Sequence, residues 1–199
     1  NRRISIDPIT RVEGHGKIDI FLDDQGDVAN VYLQIPELRG FEVFCLGRPA
    51  EDMPQITSRI CGVCPTAHHM AATKALDDLY QVEPPPAAKK IRELVYNTFM
   101  LEDHALHVYI LGGPDFVMGP TSEYPTRNVI GIIGAVPDIA KQVVKVRHMC
   151  AKMLEIIAGK SIHPDAAVPG GFSKPLQKEE RDALLPMAQE CLELAKLSI

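Results

Sequence analysis

The stretch Arg59-Ile60-Cys61-Gly62-Val63-Cys64-Pro65-Thr66-Ala67-His68 divides the chain into two kinds of pattern. Upstream of it, apolar residues alternate. Ile18, Ile20 and Leu22 share one face at period two, with Asp19 and Phe21 on the other, and Val31, Leu33 and Ile35 alternate again. Between these runs, Asp23-Asp24-Gln25-Gly26-Asp27 is turn chemistry, so the pair reads as a hairpin, and Ile4 and Ile6 predict a further short strand before it. Downstream, the period changes. Pro65 is placed to open a helix carrying His68, Ala71, Ala72, Ala75, Leu76 and Leu79. Pro84-Pro85-Pro86 breaks the chain, and Ile91, Leu94, Val95, Thr98, Leu101, Ala105 and Val108 then form a helical face that Gly112-Gly113-Pro114-Asp115 is expected to end. Pro137 starts the clearest helix, with Ile139, Val143, Val146, Cys150, Met153 and Ile157 on one stripe and Gly159 as its cap. Another helical region begins near Leu176. The fold class is therefore α+β: a small N-terminal antiparallel sheet, in a β-rich segment 1–50, followed by a mainly helical bundle over 51–199.

Composition narrows the function. The 199 residues are 46% hydrophobic and 24% charged, which excludes wholesale disorder. A net charge of −5 argues against a general nucleic-acid binder. No apolar run is long enough for a membrane helix, and the start Asn1-Arg2-Arg3-Ile4-Ser5-Ile6-Asp7-Pro8 lacks the apolar core of a secretory signal. It also lacks a methionine, as a trimmed chain would. Five scattered cysteines do not make a disulfide framework, and the natural reading is a reducing compartment. The apolar stripe Ala188, Cys191, Leu192, Ala195 runs to Ile199 with no stop signal, which points to a fragment.

Two residues between Cys61 and Cys64 place both sulfurs within reach of one metal ion. Pro65 puts Cys64 at a helix N-terminus, where exposed N–H groups favour thiolate. His68, one helical turn later, could donate a hydrogen bond to that sulfur. Spacing alone leaves three readings open: half of a zinc site, a thioredoxin-like redox pair, or a soft transition-metal site completed from outside this chain. No other CxxC exists here, and Pro54-Gln55-Ile56-Thr57-Ser58-Arg59 is not the apolar strand a thioredoxin motif follows. The remaining residues have plain readings. Cys45, Cys150 and Cys191 are core residues in apolar surroundings, His104 and His107 are structural, and His69 and His148 carry no signal. His163-Pro164 and Pro169-Gly170-Gly171 are loop, the latter without the frame of a phosphate cradle. Taken singly, Glu13, Glu42 and Asp103 are ordinary acids.

Taken together, the motifs resemble one family. Arg59-Ile60-Cys61-Gly62-Val63-Cys64-Pro65 resembles the N-terminal nickel-binding signature of nickel–iron hydrogenase large subunits. Asp7-Pro8-Ile9-Thr10-Arg11-Val12-Glu13-Gly14-His15-Gly16-Lys17 is similar to the family's opening strand and loop, and Arg39-Gly40-Phe41-Glu42 to its next motif. Leu101-Glu102-Asp103-His104 through Gly113-Pro114-Asp115-Phe116 resembles the middle helix and loop, and His163-Pro164 with Val168-Pro169-Gly170-Gly171 a fifth element. The order and approximate spacing are the family's, and they cover most of the chain.

The resemblance implies a role for each matched residue. Cys61 would be a terminal thiolate on nickel. Cys64 would bridge nickel to an iron carrying carbonyl and cyanide ligands. His68 would tune the bridging sulfur, Glu13 would take the proton leaving the terminal cysteine region, and Asp103 would be among the charged groups over the open metal position. Glu42 would bind a magnesium or iron ion. The implied reaction is reversible heterolytic cleavage of dihydrogen, with electrons passing to iron–sulfur clusters in a partner small subunit. Gly14-His15-Gly16-Lys17 and Gly112-Gly113-Pro114-Asp115-Phe116 look like the cytoplasmic, cofactor-coupled branch, whose acceptors are flavin- or NAD(P)-linked subunits or other redox partners. The departure is the family's second, C-terminal CxxC, which this chain does not contain; the expectation is the N-terminal portion of a longer large subunit. The alternative is a metal-free, hydrogenase-like subunit of a complex I-type assembly, which does not keep Cys61 and Cys64 in nickel-binding form.

Overall fold

The computed structural model describes residues 2–37 and 39–199; Asn1, where the N-terminal segment begins, and Leu38 lie outside them. The fold is α+β, and its compact units are Asn1–Gly40 and Phe41–Ile199. The division at 50 read from the sequence follows residue pattern, whereas the compact units place Phe41 to Ala50 with the helices.

The first unit is a three-stranded antiparallel sheet in the order β1 (Arg2–Ile6), β2 (Lys17–Leu22), β3 (Val28–Gln34). Its register follows from the alternation. Ile6, Ile18 and Leu33 pair across the strands, as do Ile4, Ile20 and Val31, so one face is apolar except for Arg2, which pairs with Leu22. The opposite face holds Phe21 edge-on to Tyr32 and a buried Asp19. Hydrogen bonds from Ser5, Arg3 and Gln34 hold the Asp19 carboxyl below its ordinary range. The loop between β1 and β2 is closed at its base, where the Ile9 N–H donates to the Gly16 carbonyl at 2.8 Å and Lys17 pairs with Asp7 at 2.9 Å.

The second unit begins with two short helices, α1 (Phe41–Phe44) and α2 (Met53–Thr57). Four long helices follow: α3 (Pro65–Leu79), α4 (Pro86–Leu106), α7 (Pro137–Ala158) and α8 (Lys178–Leu197), with the short α5 (Gly113–Val117) and α6 (Val129–Ala135) between α4 and α7. Proline opens α3, α4 and α7, where its missing N–H is one of the donors that would go unused anyway. Gly159 caps α7 at φ +80°, as its placement predicts. One core joins α3, α4, α7 and α8 through Met70, Val95, Phe99, Leu154, Ile157 and Leu184. A second joins α7 to α8 through Val143, Val146, Cys150, Cys191 and Leu194. The Cys150 and Cys191 sulfurs meet there at 3.9 Å as free thiols, and the Cys191 contact and burial push the Cys150 thiol up.

Four local readings are corrected. The α4 helix does not end at Gly112-Gly113; it widens into a π-helical turn, His107–Gly112, and continues as α5. Pro114 sits in the first turn of α5, and Gly113 packs so tightly that a β-carbon there would meet Ile132 at 3.0 Å. The buried face of α3 is Thr66, His69, Met70, Thr73 and Leu76, while Leu79 is exposed. An apolar-only reading misses that face because Thr73 satisfies its hydroxyl within the helix, donating to the His69 carbonyl at 2.8 Å. On α8 the buried positions are Leu184, Cys191 and Leu194, and Leu192 faces out. Cys45 is only half-buried, between exposed Phe44 and Leu46, where the sequence reading makes it core.

Pro169-Gly170 forms the turn of a small hairpin, β4 (Ala167–Val168) with β5 (Gly171–Phe172). Proline followed by a glycine at φ +74° is the pattern of a type II turn. Arg92 of α4 docks this hairpin by donating to the Val168 carbonyl at 2.7 Å and the Gly171 carbonyl at 2.9 Å. The same guanidinium forks onto Asp77 of α3, which also accepts from the Gly170 N–H at 2.7 Å.

Candidate metal centre

The site is built on the step from an irregular turn into α3. A one-turn 3-10 segment, Ser58–Ile60, delivers Cys61 in extended backbone at φ −128°, ψ 136°. Cys64 then stands at the N-cap of α3. Its backbone N–H donates to the Cys61 sulfur at 3.1 Å, folding Cys61-Gly62-Val63-Cys64 into a knuckle. Both cysteines are half-buried thiols. Cys64 and Ala67 pack against the core of Met70, Val95 and Phe99, so the knuckle has one anchored side. On its other side Gly62, Val63 and Ile60 are exposed.

His68 lies in the first turn of α3, half-buried, with its backbone N–H donating to the Cys64 carbonyl at 3.4 Å. Asp103 lies on α4, two turns of helix beyond core residue Val95, with its side chain 19% exposed and its Oδ2 3.3 Å from His107 Nδ1. The neighbouring Glu102 turns instead to Arg147 of α7, at 3.2 Å, with burial raising its carboxyl against that pairing. His104 and His107 donate from Nδ1 to the Met100 and Asp103 carbonyls, the structural roles read for them. Glu42 is exposed in the first turn of α1. Glu13 is exposed in the loop between β1 and β2, in the first compact unit.

The donor chemistry can be tested against the implied metals. Two cysteine sulfurs on one knuckle make a soft, two-donor chelate, which fits nickel and iron. Among the described residues no group of three or more His, Cys, Asp or Glu side chains is placed to hold a metal, so these residues offer a pair of cysteine sulfurs and not a closed site. Glu42 is a single exposed hard carboxylate, whereas an ion such as magnesium takes about six oxygens.

Sequence reasoning misses the buried polar residues that tie α3 to its neighbours. His69, silent in the sequence, is 1% exposed. Its Nε2 accepts from the Ala167 N–H at 3.1 Å, so Nδ1 carries the proton and donates to the Pro54 carbonyl, also at 3.1 Å. A signal for it lies in the spacing of Thr66, His69, Thr73 and Leu76, one face of α3. Burial pushes the His69 imidazole below its ordinary value of 6.5. The folded chain therefore keeps this ring neutral where the unfolded chain takes up a proton. Its contribution to stability is complete above pH 6.5 and is lost as pH falls below that toward the depressed native value. His69→Asn is expected to lose stability overall but to show a shallower fall between about pH 7.5 and pH 5.5, read from urea midpoints.

Comparison with known proteins follows the same outline. Residues 39–122 match the nickel-dependent hydrogenase family, and residues 3–38 match the HoxL-like family. A subunit of the F420-non-reducing hydrogenase vhu of Methanocaldococcus jannaschii is 50% identical over 194 residues, covering 98% of this chain and 46% of the relative. Among solved structures, an NAD+-reducing NiFe-hydrogenase in the H2-reduced state superimposes with a TM-score of 0.87 at 44% identity, over 100% of this chain and 44% of that one. The Ni-Fe-Se hydrogenase of D. vulgaris Hildenborough gives a TM-score of 0.80 at 31% identity, over 98% of this chain and 42% of that one. The chain thus spans less than half the length of the relatives it matches. Half identical to one such protein along nearly all of its own length, and folded as two others, this chain belongs to the nickel-dependent hydrogenase large-subunit family.

Proposed function

We propose that the chain supplies the first half of a nickel–iron centre in the large catalytic subunit of a hydrogenase. The observation that carries this reading is the knuckle, with two half-buried sulfurs at the head of α3 and a backbone N–H already donated to one of them. Cys61 and Cys64 would hold the nickel–iron centre through their sulfurs, Cys61 serving nickel and Cys64 serving both metals. The bound centre would supply the polarising, electron-accepting chemistry that splits dihydrogen heterolytically. The chain's own residues would orient and move protons. His68 would donate a ring N–H to the Cys64 sulfur and lower its electron density. Glu13 would take the departing proton on a carboxylate oxygen, from a loop tied at Ile9 and Gly16. Asp103, steered by His107, would present a charged oxygen toward the open metal position. Glu42 would give one ligand to a magnesium or iron ion. An iron–sulfur small subunit would receive the electrons, with NAD(P) or another soluble carrier as final acceptor and the cytoplasm as the setting. The NAD+-reducing activity of one structural neighbour supports that acceptor class. No helix of the described residues is long and apolar enough to cross a membrane.

Metal analysis of the mature full-length complex tests the reading, and its expected result is nickel in a one-to-one ratio with the large subunit. Nickel absent from an active preparation would sink it and favour the metal-free alternative. Glu13→Gln removes the proton acceptor while keeping size and polarity. It is expected to retain the metals but lose roughly 100-fold or more in hydrogen–deuteron exchange, the usual weight of a positioned acid–base group. Loss of metal instead would make Glu13 structural.

A further inference from the structure

The turn that delivers Cys61 is held from outside by residues to which the proposed reaction gives no part. His163 Nδ1–H donates to the Ser58 carbonyl at 3.0 Å; Ser58 stands three residues before Cys61 and 105 residues before His163. Ser58 is fully buried. Its hydroxyl donates to the Gln55 carbonyl at 2.8 Å and accepts from Arg59 at 2.9 Å, so both the side chain and the carbonyl at the start of the 3-10 turn are tied. His69 fixes the preceding helix in the same way, through the Pro54 carbonyl. His163 adopts φ +55° to make its contact, a left-handed conformation that disfavours residues with a β-carbon. A glycine would sit there without strain. The strain is held in exchange for a ring N–H aimed at one carbonyl.

We propose that His163 is a positioning residue for Cys61: its Nδ1–H anchors the Ser58 carbonyl and thereby sets the direction in which the Cys61 sulfur leaves the turn. The inference rests on reading Cys61 as a metal ligand. Only Arg59 and Ile60 stand between the anchored residue and Cys61. With the anchor removed, the turn can rotate about its soft dihedrals while α3 stays fixed on its core. The Cys64 N–H···Cys61 sulfur contact, which needs both ends of the knuckle in place, would loosen.

The test separates the hydrogen bond from the backbone, in the full-length subunit within its complex. His163→Asn tolerates a left-handed φ and keeps a donor at the position of Nδ1. His163→Gly relaxes the backbone and removes the donor. The readouts are nickel per complex, the nickel electron-paramagnetic-resonance spectrum, the thermal midpoint, and the iodoacetamide labelling rate of Cys61 relative to Cys45 before metal insertion. The Asn variant is expected to match wild type in all four. The Gly variant is expected to keep its midpoint, lose nickel about 10-fold, shift the residual spectrum and change the Cys61 labelling ratio. Wild-type nickel, spectrum and labelling in the Gly variant would overturn the proposal, as would equal losses in both variants. If the Gly variant does not fold, His163→Asp, which also tolerates this φ, takes its place; failure of both to fold makes His163 part of the scaffold and overturns the proposal. Wild-type complex without nickel overturns the hydrogenase reading instead, and the labelling ratio still decides the positioning role.

Discussion

Replacing Cys64 by serine in the full-length subunit is expected to lower nickel content more than 100-fold and to abolish hydrogen uptake. The magnitude follows from a comparison. Groups that merely orient a metal ligand are worth about 10–100-fold in affinity. Cys64 is proposed as a ligand to two metals at once, so its loss must exceed that range. Serine is nearly isosteric, but its oxygen is hard and stays protonated at neutral pH, whereas soft metals select thiolate. The backbone has little reason to respond, because the knuckle bond uses the Cys64 N–H and not its sulfur. Secondary structure should therefore stay near wild type while the metal is lost. Cys45→Ser serves as the control: that thiol is half-buried beside exposed Phe44 and Leu46, and its replacement should leave nickel unchanged. Normal nickel in Cys64→Ser would remove the basis of the proposed centre.

The second large effect is on stability. Arg92→Leu is expected to destabilise the chain by about 3–5 kcal/mol, the usual result of taking one partner from a buried pair. At this chain length that is a fall of roughly 10 °C in the thermal midpoint. Arg92 is 9% exposed and serves Asp77, Val168 and Gly171 at once. Leucine would fill the volume but leave a carboxylate and two carbonyls without their donor. Arg92→Lys should recover only part of the loss, because a point ammonium cannot fork onto Asp77 while reaching the hairpin carbonyls. Arg92→Leu with Asp77→Asn should be less harmful than the sum of the two single changes, since the second removes the orphaned charge. Burial works to raise the Asp77 carboxyl, but hydrogen bonds from Arg92 and Gly170 hold it below its ordinary value of 3.8. The network is therefore complete above that pH and is lost on acidification, and the gap between wild type and Arg92→Leu should narrow as pH falls through the Asp77 titration. Denaturant midpoints across pH measure it.

The features legible in the sequence are those that rest on a period or a local rule. The strands around Ile18–Leu22 and Val31–Leu33, the prolines opening α3, α4 and α7, and the Gly159 cap all follow from residues a few positions apart. The cysteine pair is equally plain as a spacing, which by itself leaves zinc, thiol redox and soft-metal chemistry open. The parts that stay hidden are polar residues in core positions with partners far along the chain. Arg92 and His69 occupy such positions on helices, where a reading based on apolar residues alone skips them. The long-range partners of Arg92 and His69 include Gly171 and Ala167, and no local rule pairs them. The helix through Gly112 is misjudged for a related reason. Glycine and proline usually stop a helix, but here close packing against Ile132 and a widened turn carry it through.

The long reach of the histidine contacts also bears on the order in which the chain folds. The bonds from the 163–171 segment to Ser58, His69, Asp77 and Arg92 span 105, 98, 93 and 79 residues. Helix pairs adjacent in sequence close much shorter loops and can form first, whereas these contacts must wait for the chain between them to be ordered. The cysteine knuckle is thus expected to sit on a turn that gains its last restraints late, after α3 and α4 are in place. The proposed ligand pair would then stay pliant and open to metal delivery until late in folding, and would stiffen once the 163–171 segment docks.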